Sequence, residues 1–299
     1  MNIVAYRKIP YIISGLLFVL SIGALSLWGL KLGIDFTGGS LMELEFVNAR
    51  PTTEELQQKI AALNIGSVQM QQTGDKGLFL RMRDLDEATH QKLLQALGER
   101  DPNAGFVEKR FDSIGPTIGG ELKRRATYAL FLVILMIVLY IAFVFRKVSR
   151  PVASWKYGLV AIVALLHDVI IPIGFFAYLG HFQGVEIDAL FITAVLTILG
   201  FSVHDTIVVF DRIRENLRRG KGASFEETVG ISINETIVRS INTSLTLFLV
   251  LLTLFFFGGH STKYFSLALI IGTVFGTYSS ICIASPLLVT WERWKAKRV

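Results

Sequence analysis

Six stretches of the chain are almost wholly apolar, and one long polar interval separates the first from the second. A helix needs about 20 apolar residues to cross a hydrocarbon core roughly 30 Å thick. The stretches at Pro10–Leu30, Ala126–Phe145, Tyr157–Leu179, Ala189–Phe210, Thr236–Phe257 and Tyr264–Leu288 meet that length and predict six transmembrane helices. In the polar interval, residues 31–125, the period shortens. Within SLMELEFV, Met42, Leu44 and Phe46 alternate with Glu43 and Glu45, as a half-buried strand requires. Thr52-Thr53-Glu54-Glu55 offers a capping box, and Leu56, Ile60 and Leu63 follow at helical spacing. SVQMQQT and GLFLRMR read as two short strands around a Gly74-Asp75-Lys76 turn. Asp86 can cap a second helix carrying Leu93, Leu94 and Leu97, and GFVEKRFDSI alternates again. The order β-α-β-β-α-β is that of a ferredoxin-like domain, a fold that hosts many functions and decides none.

The fold class is thus an α-helical membrane protein with six transmembrane helices and one α+β ferredoxin-like domain between helices 1 and 2. Three segments follow: residues 1–30 for the N-terminus and first helix, 31–125 for the polar domain, and 126–299 for the other five helices and their loops. Glycine-rich sequences flank the polar domain, GIDFTGGS with Gly38 and Gly39 and IGPTIGGEL with Gly119 and Gly120. Glycine reaches turn geometries closed to other residues. These four positions are candidate hinges that would let the domain tilt, or equally the parts of a tight connection.

Composition agrees with this reading. Of 299 residues, 52% are hydrophobic and 18% charged, and the mean hydropathy is +0.52, outside the usual range of soluble domains. The net charge is +6, but residues 31–125 carry −1 and the rest +7, so the excess belongs to the loops and does not indicate nucleic acid. Basic residues gather before the first span (Arg7, Lys8), between the second and third (Arg146, Lys147, Arg150, Lys156), after the fourth (Arg212, Arg214, Arg218, Arg219, Lys221) and at the end (Arg293, Lys295, Lys297, Arg298). The opposite loops, HFQGVEID and GGHSTK, hold one lysine between them. Short basic loops stay in the cytoplasm, which puts both termini there and the polar domain on the periplasmic or extracytoplasmic side. Lys123, Arg124 and Arg125 run against the pattern, although long translocated segments tolerate such charges. The first span also has the basic start and small residues, Ala24 and Ser26, of a signal peptide, but its apolar run exceeds the roughly 7–15 residues of an h-region. Cys282 is the sole cysteine, so no internal disulfide forms.

Ionisable residues inside the spans carry the candidate chemistry: His167 and Asp168 in the third, His204 and Asp205 in the fourth, Arg239 near the start of the fifth. Each is expensive against lipid and is a functional hypothesis by default. At about 1.5 Å per residue, Asp205 lies roughly 9 Å in from Asp211 and Arg239 roughly 7 Å in from Asn234. The two spans run antiparallel, so an Asp205–Arg239 contact is geometrically open. Burial favours the neutral acid and a nearby guanidinium the carboxylate, so relative movement of the two would act as a proton switch. The alternative is that Asp205 accepts hydrogen bonds from a neighbouring helix while Arg239 snorkels to the interface. A metal centre is disfavoured because adjacent helical residues point about 100° apart, so each His-Asp pair aims one member at a common point. Pro172, four residues after Asp168, frees the carbonyl of residue 168 and predicts a kink, or a gap open to water. Gly272 and Gly276 form a GxxxG that permits close helix approach.

GIDFTGG after the first span, GPTIGGEL before the second, GFSVHDTIVVFDRIREN across the end of the fourth and SINETIVRSINTS entering the fifth resemble the SecF family. These proteins are the smaller membrane subunits of the bacterial SecD–SecF translocation accessory complex, within the resistance-nodulation-division superfamily. The resemblance covers essentially the whole chain. It implies a non-enzymatic subunit of the bacterial inner membrane that uses the proton motive force to assist export of unfolded preproteins. The implied partners are SecD and the SecYEG translocon, with YajC and YidC as further candidates, and the implied coupling ion is the proton, with no cofactor. Carried over by position, the family's proton-relay aspartate falls on Asp205 and its arginine on Arg239. Relatives commonly read Asn-Asp-Thr where this chain reads His204-Asp205-Thr206, so His204, Thr206 and Asp168 are secondary candidates. A half-sized proton-driven exporter of the same superfamily, or a membrane scaffold without proton coupling, remains as an alternative reading.

Overall fold

The computed structural model describes residues 4–48, 50–98, 105–145 and 154–296. The chain divides into two compact units, one of Leu32–Thr127 and one combining Met1–Lys31 with Tyr128–Val299.

After helix α1 (Lys8–Trp28), the smaller unit runs through a single turn α2 (Ile34–Thr37), β1 (Gly39–Phe46), α3 (Thr53–Ala61), β2 (Gln69–Thr73), β3 (Gly77–Met82), α4 (Glu87–Leu97) and β4 (Phe106–Ile114). The strands form one antiparallel sheet in the order β2-β3-β1-β4. The alternation in β1 sends Met42, Leu44 and Phe46 to one face, where they pack with Leu78 and Leu80 of β3, Leu56 and Ile60 of α3, and Leu93 and Leu97 of α4. Both helices begin on side-chain caps. Thr52 Oγ1 accepts from Glu55 N at 3.3 Å while Glu55 Oε2 accepts from Thr52 N at 3.2 Å, and Asp86 Oδ1 accepts from Thr89 N at 2.9 Å. Hydrogen bonds from Thr89, side chain first and backbone second, hold the Asp86 carboxyl below its usual range.

The glycine-rich flanks differ from two open loops. Gly119 and Gly120 lie within the first turns of α5 (Pro116–Phe145), which extends the second span well N-terminal of its apolar stretch. Gly38, with φ of 73°, lies against that turn: a Cβ there would come 2.7 Å from Pro116 Cα, and one on Gly119 would come 2.7 Å from Gly38 N. These two glycines permit a backbone-on-backbone contact inside the smaller unit.

The larger unit adds the rest of α5 and then α6 (Ser154–Gln183), α7 (Ala189–Arg218), α8 (Phe225–Phe257), α9 (His260–Ser279), a π-helical turn (Ser280–Ala284) and α10 (Ser285–Ala296). Among the described residues six helical spans are long and apolar enough to cross a membrane, the last running from α9 through α10. Helix α6 stays helical through Pro172. The π turn lies just before Pro286, which has no N–H to give the carbonyl of residue 282. The chain turns sharply after the fourth span. Gly220 and Gly222 reverse the chain with φ of 66° and 89°, and Ser224 Oγ accepts from Glu227 N at 3.2 Å. From that cap α8 runs unbroken into its apolar half. Of the loop cations that argued orientation, Arg146, Lys147, Arg150, Lys297 and Arg298 lie outside the described residues.

Spans α6, α7 and α9 through α10 are the most enclosed, whereas α1, α5 and α8 are largely exposed along their lengths. The small residues of α9 allow the central contact. A Cβ on Gly272 would overlap the Ile198 side chain of α7, and one on Gly276 would sit 3.3 Å from Ser202 Cβ. Helices α7 and α9 therefore approach closely at the depth where the polar residues lie.

Candidate functional site

Asp168 of α6 is fully buried and is the centre of a network drawn from three helices. Its Oδ2 accepts from Ser202 Oγ of α7 at 2.5 Å and from Ser279 Oγ of α9 at 2.6 Å, and its Oδ1 meets His167 Nδ1 at 2.8 Å. The neighbours His167 and Asp168 thus do share one centre, since the imidazole reaches the carboxylate beside it. Buried charge is tolerated only when hydrogen-bonded, and three donors meet that condition here. His167 Nε2 is buried without a hydrogen-bond partner among the described residues.

Asp205 of α7 is 2% exposed and its carboxyl group lies beside Thr277 of α9. Thr277 Oγ1 is also in very short contact with Ser244 Oγ of α8. Asp205 Oδ2 has no hydrogen-bond partner among the described residues. The two aspartates lie near enough for their charges to interact. Ser202 and Asp205, three residues apart, share a face of α7, and Thr277 and Ser279 reach them from α9. The glycines at 272 and 276 allow that approach.

The other candidates fall elsewhere. His204 is exposed, as a turn of about 100° from the buried Asp205 requires. Thr206 is 2% exposed. Arg239 is exposed on α8, and the contact with Asp205 that depth counting left open is not made. The reason is angular: α8 buries Thr236 and Ser240 on the face toward the bundle, and Arg239 falls outside that face. Ser202, Ser244, Thr277 and Ser279 escaped sequence reasoning because a hydroxyl in an apolar helix is unremarkable singly. For Ser244 the signal that could have raised it is spacing, since α8 carries a hydroxyl at every fourth position from Thr228 to Ser244. No group of three or more His, Cys, Asp or Glu side chains among the described residues is arranged to hold a metal ion.

Where the fourth span ends, Glu235 of α8 accepts from Arg212 Nε at 2.6 Å, Asn216 Nδ2 at 2.7 Å and Lys221 Nζ at 2.9 Å. Asn216 Nδ2 also reaches Ser232 Oγ at 2.9 Å. This cluster ties the ends of α7 and α8 together.

A six-span bundle with buried carboxylates at its centre and a ferredoxin-like domain between the first two spans defines a polytopic membrane protein. Residues 95–294 match the family described as protein export membrane protein SecD/SecF, C-terminal, and residues 29–49, which include Gly38 and Gly39, match the SecD/SecF GG motif. The chain is 46% identical to the protein translocase subunit SecF of Thermobaculum terrenum, over 97% of this chain and 94% of that one. It is 36% identical to that of Synechocystis, over 100% and 96%. The crystal structure of SecDF, a translocon-associated membrane protein from Thermus thermophilus, superposes with a TM-score of 0.81 at 31% identity, covering 98% of this chain and 39% of that one. The chain belongs to the SecF family of protein translocase subunits.

Proposed function

We propose that the chain works in the bacterial inner membrane as one half of a SecD–SecF assembly, and that with SecD it uses the proton motive force to assist preprotein passage through SecYEG. In this reading both termini are cytoplasmic and the ferredoxin-like domain is periplasmic. Unfolded preprotein is the substrate, protons are the coupling ion, and YajC and YidC are further candidate partners. The observation that carries the reading is Asp205: a buried carboxyl group in a membrane-spanning helix, beside Thr277, with its Oδ2 buried and without a hydrogen-bond partner among the described residues. Such a group can exist charged or neutral at modest rearrangement, which a proton-carrying residue requires.

Arg239 supports the partnership. An exposed guanidinium roughly 7 Å inside a span is unfavourable against lipid, and a polar surface on a neighbouring bundle would shelter it. The SecDF chain of Thermus thermophilus extends well beyond the part this chain matches, as a second bundle would. Arg239 would then approach Asp205 in another state of the cycle, with the potential supplying about 2.3 kcal/mol per charge per 100 mV. His204, Thr206 and Asp168 serve this site secondarily.

The test is preprotein export into vesicles that hold the whole complex, with and without a proton gradient. Asp205→Asn and Arg239→Ala should each abolish the stimulation by the gradient while leaving the gradient-independent rate unchanged. Full stimulation in both variants would refute the assignment.

A further inference from the structure

Lys156, in the first turn of α6, is only 8% exposed. Its Nζ lies 5.8 Å from the centroid of the Trp155 ring and 5.3 Å from that of Trp291 on α10. The two indoles meet edge to face, with centroids 5.3 Å apart, and form a corner around the ammonium. Rings attract a cation, but an ammonium also carries three N–H donors. Other cations at this end of the bundle have carboxylates: Arg7 and Arg293 share Glu226, and Arg212 and Lys221 share Glu235. Lys156 has neither a carboxylate, Glu292 beside Trp291 included, nor a hydrogen-bond acceptor among the described residues. The ordinary account of such a lysine is snorkelling, in which the stem covers apolar surface and the charged head stays in water. Lys156 is too enclosed for that, and an enclosed charge is costly unless paired.

We propose that Lys156, Trp155, Trp291 and the N-terminus of α6 hold the phosphate of one anionic phospholipid. The helix start asks for the same ligand. Helix α6 opens at Ser154 with no acidic residue in its first turn, so its free N–H groups and positive dipole end have no negative partner there. The stretch RKVSRPVA before it brings three cations and no acid. Cα–Cβ bonds tilt toward the start of a helix, which leans Lys156 toward those N–H groups. The depth fits a lipid headgroup, since the apolar span begins at Trp155 and tryptophans gather where membrane meets water. An acyl chain also has a track. Below Trp155, the exposed Leu159, Val163 and Leu166 continue one face of α6 over about 16 Å. Seated there, the phosphate oxygens accept from the ammonium and the helix start, the indoles shelter that contact from water, and α6 is tied to α10. The lipid comes from the cytoplasmic leaflet in the orientation proposed above. The inference needs the chain to span a membrane and does not depend on proton coupling.

The experiment is native mass spectrometry of the full chain, extracted in mild detergent with any partner subunit that stays bound. It is titrated with phosphatidylglycerol, with phosphatidylcholine of the same acyl chains, and with inorganic phosphate. The parent should take up one phosphatidylglycerol about tenfold more tightly than phosphatidylcholine, the worth of a sheltered hydrogen bond between charged groups. Diffuse attraction of one lysine to an anionic surface is worth about fivefold, so Lys8→Met, which removes an exposed cation at the same end, should weaken uptake by no more than that. Lys156→Met should weaken it by about tenfold or more, and Lys156→Arg should restore most of the loss. Equal uptake of the two lipids, or equal losses in Lys156→Met and Lys8→Met, would overturn the site. Displacement of the lipid by millimolar phosphate would overturn its assignment to a lipid. Lys156→Met keeps the length of the stem and removes an enclosed charge, so without lipid it should melt no lower than the parent. A lower melting temperature there would contradict an ammonium that lacks an anion.

Discussion

Gly272→Ala tests whether the α7–α9 contact positions the buried site. A single added methyl would overlap Ile198 Cγ1 and Cδ1 and sit 2.9 Å from Cγ2, so Ile198 must leave its rotamer or α9 must move away. Overpacking of this kind costs about 1–3 kcal/mol. The same substitution gains about 1 kcal/mol of helix propensity, so the net loss should be about 0–2 kcal/mol. At roughly 2–4 °C per kcal/mol, that is a fall of up to about 8 °C in the Tm of the detergent-solubilised chain, followed by fluorescence-detected size exclusion after heating. Gly276→Ala is the internal comparison. Its Cβ would come 3.3 Å from Ser202 Cβ, which a shift of a few tenths of an ångström accommodates, so propensity offsets the clash and Tm should hardly move. Ile198→Ala supplies the matching space, and the double variant Ile198→Ala/Gly272→Ala should lose less than the two single losses together, by about 0.5–3 kcal/mol. Additive losses, or a Gly272→Ala variant more stable than Gly276→Ala, would refute the close packing that holds Thr277 and Ser279 at the aspartates.

Three further outcomes are expected. Asp168→Leu leaves the Ser202, Ser279 and His167 donors without their acceptor, at about 1–3 kcal/mol for each group not satisfied otherwise, whereas Asp168→Asn keeps an acceptor and should melt closer to the parent; equal melting of the two would contradict the network. Gly120→Ala, with open space around its Cβ, should raise stability by about 0.5–1 kcal/mol, while Gly119→Ala, whose Cβ meets the Gly38 backbone, should lower it, and thermal melts that rank the pair the other way would remove that contact. The depressed Asp86 carboxyl stabilises α4 at pH values above its unfolded pKa, and that contribution is lost as pH falls through the lower folded value. Hydrogen exchange at the first turn of α4 should therefore gain protection from pH 3 to pH 5 relative to Asp86→Ala, and identical ratios at both would show that the cap is not formed.

Much of this molecule is legible from residue pattern. Met42, Leu44 and Phe46 announce a strand because alternate side chains must share a face, and Thr52 and Asp86 announce helix starts because four N–H groups there need acceptors. The six apolar stretches announce spans because lipid accepts no unpaired backbone. Helix ends are less legible. Helix α8 begins at Phe225 and α5 at Pro116, since polar residues with a cap or a packed turn extend a helix beyond the apolar run. His204 and Asp205 look like a pair in sequence and separate in space, while His167 and Asp168 look like a pair and are one.

The sequence by itself determined the period of each element, the order of the ferredoxin-like domain and the depth at which charges enter the spans, because all three follow from distances along one chain. Only the tertiary structure decided which charges meet. Depth brings Asp205 and Arg239 level, but the rotation of α8 about its axis turns Arg239 outward and Ser240 inward, and that rotation is set by packing against α7 and α9. The same packing, through Gly272 and Gly276, turns ordinary serines and threonines of three helices into the surroundings of two buried carboxyl groups.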